Sequence, residues 1–356
     1  MTIDYSLPDA SSEVKARLLT CSPTSVVYFT RGNRVHHKNI STNSDVSQLC
    51  KYSEKLGNIR VLESGGISQA NTLAIGSSKG YIHLWDVNAR KVTVSWCATK
   101  EITALAWNGP ILSVGGIKGS IRHYDTRLPA TKMREQAHLA RHRGRVTCLK
   151  WNEDGRFLAS GDVSGKVHCW ELGQNVPLNV GETVTRRKQI QHDGRITAIA
   201  WAPWEPKLFA TGDDKGIMRL WLSNDKNPGS NAVSPGKVEI GAAITGIHFS
   251  PQCQEILTTH AEKTPEPPTE GYGPRKPQVE NSITIHMHPS MRHGLTYHLP
   301  GEQTAPIGDS VLDGTGTKLI VAVPSTNKIE VCTAWAKRKE LKKQQSFTDR
   351  QYSRIR

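Results

Sequence analysis

Chemistry in a protein needs reactive side chains at useful spacing, and few stretches of this chain offer them. His286 and His288 lie two apart in SITIHMH. On a strand they would share one face, the arrangement from which a two-histidine metal site starts. No cysteine or carboxylate stands nearby to complete such a site, so both read as strand surface residues. His36 and His37 are adjacent and point to opposite faces. Asp213 and Asp214 sit together in Asp213-Asp214-Lys215-Gly216. A turn of this kind uses an Asp to hold its own backbone, so the structural role outweighs an acid–base pair. There is no GxGxxG, GxxxxGK[ST], HExxH or GxSxG. The seven cysteines (21, 50, 97, 148, 169, 253 and 332) contain no CxxC pair. Neither a zinc site nor a disulfide framework is indicated, which points to a reducing compartment. No enzyme, metal or cofactor is expected.

What the chain does contain is repetition. Asp193 to Trp221, DGRITAIAWAPWEPKLFATGDDKGIMRLW, reads as three short strands joined by tight turns. GRVTCLKWNEDGRFLASGDVSGKVHCWEL, EITALAWNGPILSVGGIKGSIRHYDTR and NTLAIGSSKGYIHLWDV repeat the pattern upstream. Aromatics close the strands at Trp85, Tyr124, Trp170 and Trp221, at steps of 39, 46 and 51. Others end the first strands at Trp107, Trp151 and Trp201, at steps of 44 and 50. A repeat of about 40–45 residues with a Trp-Asp strand end, here Trp85-Asp86, indicates a WD40-type β-propeller with one four-stranded blade per repeat. His142 and His192 precede first strands, where such repeats place a structural histidine.

With 356 residues, seven blades of about 42 residues use nearly the whole chain; six would follow if the last failed to close. No apolar run of membrane-spanning length is present, and the first 20 residues do not read as a secretory signal. The net charge is +14, and residues 337–356 hold eight Lys or Arg against two acids, so +6 of it lies in the tail. Such a surface suits an acidic partner or nucleic acid, or is simply solvated.

In chain order, residues 1–13 form a lead-in arm and residues 14–335 the propeller. The first blade shows three strands, with Arg31-Gly32-Asn33 as a hairpin turn and 41–56 as a polar connection. Blade two spans 58–96, blade three 101–136, blade four 144–190 and blade five 194–240. The connections 173–190 and 222–240 each hide a weak fourth strand, such as VPLNV. Blade six is interrupted by a flexible insert at 261–281, rich in proline and glycine. Blade seven is the weakest, with Cys332 near the usual Trp position. Residues 336–356 are a basic C-terminal tail, helix-forming at first and disordered beyond.

Several of these stretches resemble the Fizzy family, the substrate-recruiting activators of the anaphase-promoting complex. ALAWNGPILSVGGIKGSIRHYDTR, LKWNEDGRFLASG and ITAIAWAPWEPKLFATG carry the resemblance, including Trp201-x-Pro203-Trp204, which most propellers lack. YSLPDA resembles the family's approach to blade one. The resemblance implies a non-enzymatic adaptor in nucleus and cytoplasm that holds degron-bearing substrates on the propeller. It implies that the terminal Ile355-Arg356 docks on a helical-repeat subunit of the ligase, and that Glu13 is an acid of the destruction-box site between blades one and seven.

The chain also departs from the family. No Asp-Arg-Tyr-Ile-Pro type box is found. The turn that reads Lys-Glu-Asn peptides through asparagine is Asp162-Val163-Ser164-Gly165 here. The expected blade-seven Arg falls near Pro306 and Ile307, and the second destruction-box acid near Asn327 or Lys328. These departures imply weak Lys-Glu-Asn recognition and a weakened destruction-box site. Two rivals remain: a propeller scaffold without ligase activation, and a basic propeller that binds nucleic acid. The lack of a basic stripe interleaved with aromatics counts against the second. No membrane partner is expected.

Overall fold

The computed structural model describes residues 1–7, 16–42, 44–98, 100–184, 187–223, 236–263, 279–299 and 305–335. Alternating and β-branched segments such as ITAIAW and TLAIGS form short strands, and Gly-containing turns reverse the chain between them. The strands make seven antiparallel sheets, six of four strands and one of five. In blade four, Val146–Trp151, Phe157–Asp162, Lys166–Glu171 and Arg187–Gln191 pair in sequence order, and Glu182–Val184 adds a fifth strand. The first strand of each blade touches the first strand of the next. Asp309–Leu312 of blade seven meets Ala242–Phe249 of blade six and Leu19–Cys21 of blade one, so the ring closes with seven blades.

The core lies between the blades. Seven clusters of buried side chains fill the seven interfaces, one each. Each sheet face is therefore covered by its neighbour's, as a sheet with an apolar face requires.

Several expectations are corrected. Residues 2–4, read as part of a lead-in arm, are the outer strand of blade seven. Thr2–Asp4 pairs with Lys328–Thr333, with Ile3 opposite Ile329. The chain's first and last described strands thus complete one blade, and Ile3 and Tyr5 are buried in the interface with blade one. The polar connection 41–56 holds the fourth strand of blade one, Ser47–Lys51. VPLNV is not a strand; the fourth strand of blade four lies at Arg187–Gln191. In blade five it is Gly236–Glu239. Residues 261–263 of the expected insert extend the strand Glu255–Lys263, and residues 279–281 lead into Ser282–Met287. Blade six has a fourth strand, Arg292–His298, that the sequence pattern did not reveal. Residues 264–278 and the tail 336–356 lie outside the described residues.

Candidate functional site

Two buried polar clusters have the connectivity of a hydrolytic triad. In blade four, His142 Nδ1 lies 2.8 Å from Asp162 Oδ2 and its Nε2 lies 2.7 Å from Ser160 Oγ. Trp170 donates its indole N–H to the same hydroxyl at 2.8 Å. Blade five repeats this with His192, Asp213, Thr211 and Trp221, at 2.9, 2.8 and 2.8 Å. A Ser–His–Asp chain could activate a nucleophile. Here Ser160 and Thr211 are fully buried, and each hydroxyl already accepts an indole hydrogen bond. No substrate carbon can reach them. The tetrads tie a blade-to-blade loop to two strands of the blade that follows it. Their aspartates also hold turns: Asp162 Oδ1 accepts from Ser164 N and Lys166 N, and Asp213 Oδ1 from Lys215 N and Ile217 N. Burial works to raise the Asp162 pKa, but the hydrogen bonds from His142 and Ser164 outweigh it and hold the carboxyl below its ordinary value.

The first-strand tryptophans staple blades together. Trp107 Nε1 donates to Glu63 O of blade two at 3.3 Å, Trp151 Nε1 to Ser113 Oγ of blade three at 2.9 Å, and Trp201 Nε1 to Lys150 O of blade four at 2.9 Å. Trp204 crosses the other way and packs on Phe249 of blade six at 5.4 Å. Trp85 belongs to the core between blades one and two, while Asp86 accepts from Ala89 N in the following turn. The literal Trp-Asp pair is therefore not a tetrad.

The histidine pair is corrected. His286 is not at the surface: it is buried, Nε2 lies 3.1 Å from Thr258 Oγ1, and burial pushes its pKa down to about 4. His288 falls beyond the strand's end, with its ring 6.1 Å from Trp204. His36 and His37 do face opposite ways, one against Phe29 and the other against Tyr28. Among the described residues no group of three or more His, Cys, Asp or Glu is placed to hold a metal ion.

The ring's central channel is the feature most suited to recognition. The chain enters the ring beside blade two, where Arg17 N donates to Arg60 O and Leu62 N to Arg17 O. From there the Arg17 side chain spans the channel. Its Nη2 reaches Cys148 Sγ of blade four at 2.9 Å and the carbonyl of Thr197 of blade five. Burial raises the Cys148 thiol pKa against the pull of Arg17. Above Arg17 lies a small mouth. Bulges after the first residue of each inner strand in blades three to five turn Thr103, Thr147 and Thr197 toward it, with Arg145, Arg195 and Asp309 on its rim. Below it the channel widens into a funnel of about 560 Å³, walled by Trp151, Trp201 and Phe249 and crossed by a 3.1 Å Lys150–Glu63 ion pair.

The positions implied for degron reading lie around the upper face. The turn Asp162–Gly165 is closed on itself by the bonds to Asp162. Ile307, where the resemblance places an arginine, is fully buried between blades six and seven. Asn327 O accepts from Tyr5 N, and Lys328 stands opposite Asp4 in the strand pair. Glu13, Ile355 and Arg356 lie outside the described residues.

Comparison with known proteins accords with this architecture. The family model for "WD domain, G-beta repeat" matches residues 133–171, from the end of blade three through the third strand of blade four. The "Anaphase-promoting complex subunit cdc20" of Dictyostelium discoideum is 27% identical over 290 residues, covering 80% of this chain and 51% of that protein. The "Cell division cycle 20.5, cofactor of APC complex" of Arabidopsis thaliana is 29% identical over 221 residues, covering 62% of this chain and 44% of that protein. The "WD repeat-containing protein slp1" of Schizosaccharomyces pombe is 28% identical over 192 residues, covering 53% and 36%. The chain thus spans about a third to a half of the length of these relatives. A chain in a solved structure, "Crystal Structure of Mitotic Checkpoint Complex", matches with a TM-score of 0.76 at 22% identity, over 94% of this chain and 91% of that one. That likeness establishes the same fold.

Proposed function

We propose that this chain is a divergent Fizzy-type adaptor that presents substrate proteins to the anaphase-promoting complex. The observation that carries the reading is the match of four-fifths of the chain to a cdc20 subunit of that complex, on a propeller whose Trp201-x-Pro203-Trp204 element staples blades four, five and six. The adaptor has no catalytic step of its own: it raises the local concentration of a substrate near the ligase, an effect that needs only two binding surfaces. It works in the nucleus and cytoplasm.

The ligase contact is Ile355-Arg356. A terminal carboxylate, a guanidinium and a branched apolar side chain within two residues suit a groove between helices. Glu13 pairs with the arginine of a destruction box. Lys-Glu-Asn peptides bind weakly, because the Asp162–Gly165 turn spends its polar groups on itself and Ile307 offers no charge.

The test is a pull-down of the anaphase-promoting complex by the intact chain and by a version lacking Ile355 and Arg356. Capture by the first and not the second supports the reading. If neither captures the complex, the protein is a propeller scaffold for other partners. If both capture it equally, the adaptor role stands and the tail contact fails.

A further inference from the structure

The upper face of the ring is unevenly charged. The loop from blade three to blade four reads Arg141-His142-Arg143-Gly144-Arg145. His142 turns inward to its tetrad. Arg141 and Arg143 are exposed, and half-buried Arg145 reaches the rim of the channel mouth. The turn between the second and third strands of blade three brings Lys118 against this loop. There Gly119, at φ +83°, packs so closely on the carbonyls of His142 and Gly144 that a side chain would collide with them. The preceding loop brings Lys100 alongside, with Ile117 N donating to Glu101 O at 3.2 Å.

Nearby carboxylates are already engaged. Glu101 pairs with Arg60 and Asp214 with Arg195, both at 2.8 Å, and Asp162 is bonded within its tetrad. Asp193, exposed on the next loop, bonds none of the shelf cations. Among the described residues, Lys100, Lys118, Arg141, Arg143 and Arg145 have no ion pair. The crowding has a cost. Lys118 leads the causes that lower the Lys100 pKa; burial leads those that lower Arg145, followed by Arg195. An anion on this shelf would relieve like-charge repulsion without displacing a native partner.

We propose that this shelf over blades three and four docks an acidic peptide segment of a partner protein, with Arg145 taking one of its carboxylate or phosphoryl groups at the channel mouth. Asp309 faces the mouth from blade seven, so the anion sits on the Arg145 side. A peptide fits better than nucleic acid. Single strands are held largely by base stacking on aromatics, and the exposed aromatic among the described residues, Tyr297, lies on Arg292–His298 of blade six. The proposal goes beyond the adaptor reading, since binding at the shelf requires no ligase.

The test is fluorescence anisotropy with the purified full chain. The probes are a short glycine-serine peptide carrying several glutamates, the same peptide with phosphoserines in their place, a lysine version, and a uridine oligomer of equal length. The acidic peptides should bind and the lysine version should not. R143Q/R145Q and K100Q/K118Q should each weaken acidic-peptide binding by about tenfold, the loss expected when charge-assisted hydrogen bonds go. K91Q, on the exposed outer strand of blade two, should change it by less than about twofold. A large preference for phosphoserine assigns a phosphoryl ligand, and equal binding assigns a carboxylate. The proposal is overturned if neither acidic peptide binds, or if the double variants weaken binding no more than K91Q. Preferential binding of the uridine oligomer, lost in the same variants, would replace it with a nucleic-acid site. Thermal melts of the variants should match the parent, so a loss of binding cannot be laid to unfolding.

Discussion

Replacing Asp162 with alanine tests whether the buried tetrad is structural. The carboxylate accepts from His142 Nδ1 at 2.8 Å, Ser164 N at 2.9 Å, Ser164 Oγ at 2.6 Å and Lys166 N at 3.0 Å. Both His142 and Asp162 side chains are fully buried. Truncation would leave the His142 nitrogen without a partner, at about 1–3 kcal/mol, and would also release the turn to Lys166. Breaking a buried pair of this kind costs about 3–5 kcal/mol in all. D162N keeps one oxygen for the turn and lets the amide face His142 in its other tautomer, so it should lose about 1–2 kcal/mol. Exposed D193A should stay within about 0.5 kcal/mol. The measurement is urea denaturation followed by tryptophan fluorescence. The sign with pH follows from the lowered Asp162 pKa. The carboxylate's contribution is fully present above the unfolded-chain value of about 3.9 and is lost as pH falls through the lower folded value. The gap between parent and D162N should therefore close in acid. A loss below about 1 kcal/mol for D162A, or a gap that widens in acid, would refute the structural assignment.

Other expectations follow from particular residues. Gly165 and Gly32 both have positive φ, but a Cβ on Gly165 would strike the His192 carbonyl while one on Gly32 meets open space. G32A should cost about 1–2 kcal/mol and G165A clearly more, compared by thermal melting; equal losses would refute the collision. I3A should cost about 2–4 kcal/mol in the same denaturation assay, because Ile3 is buried in the interface that closes the ring; a neutral result would mean that Thr2–Asp4 does not lock blade seven. In native protein, Cys97 and Cys253 should react first with a thiol reagent, since both are exposed. Cys148 should react only after R17A opens the channel above it, as mass spectrometry of the labelled peptides would show.

The repeat was legible in the sequence because each blade's inner three strands are a local object. ITAIAW, KLFATG and IMRLW lie within thirty residues of one another, the middle strand is buried throughout between two partly buried ones, and tight turns set their register. A structural role for His142 and His192 was also readable from their place before first strands, but the aspartate, hydroxyl and indole that complete each tetrad were not. The outer strands were harder. Arg292–His298 is mostly exposed, so little burial imprints a period on its residues, and only pairing with a buried neighbour makes it a strand. Closure was not readable either. Thr2–Asp4 is too short to carry a pattern, and its partner, Lys328–Thr333, lies at the other end of the chain. The channel and the cationic shelf likewise arise only when loops far apart in sequence stand side by side. Arg17 meets Cys148 and Thr197, and the Lys118 turn stands between the Lys100 loop and the loop of Arg141 to Arg145, because the ring brings successive blades round one axis. Residue types and local spacing determined the blades. The long-range pairing that turned them into a ring decided which charges meet and which are left without a partner.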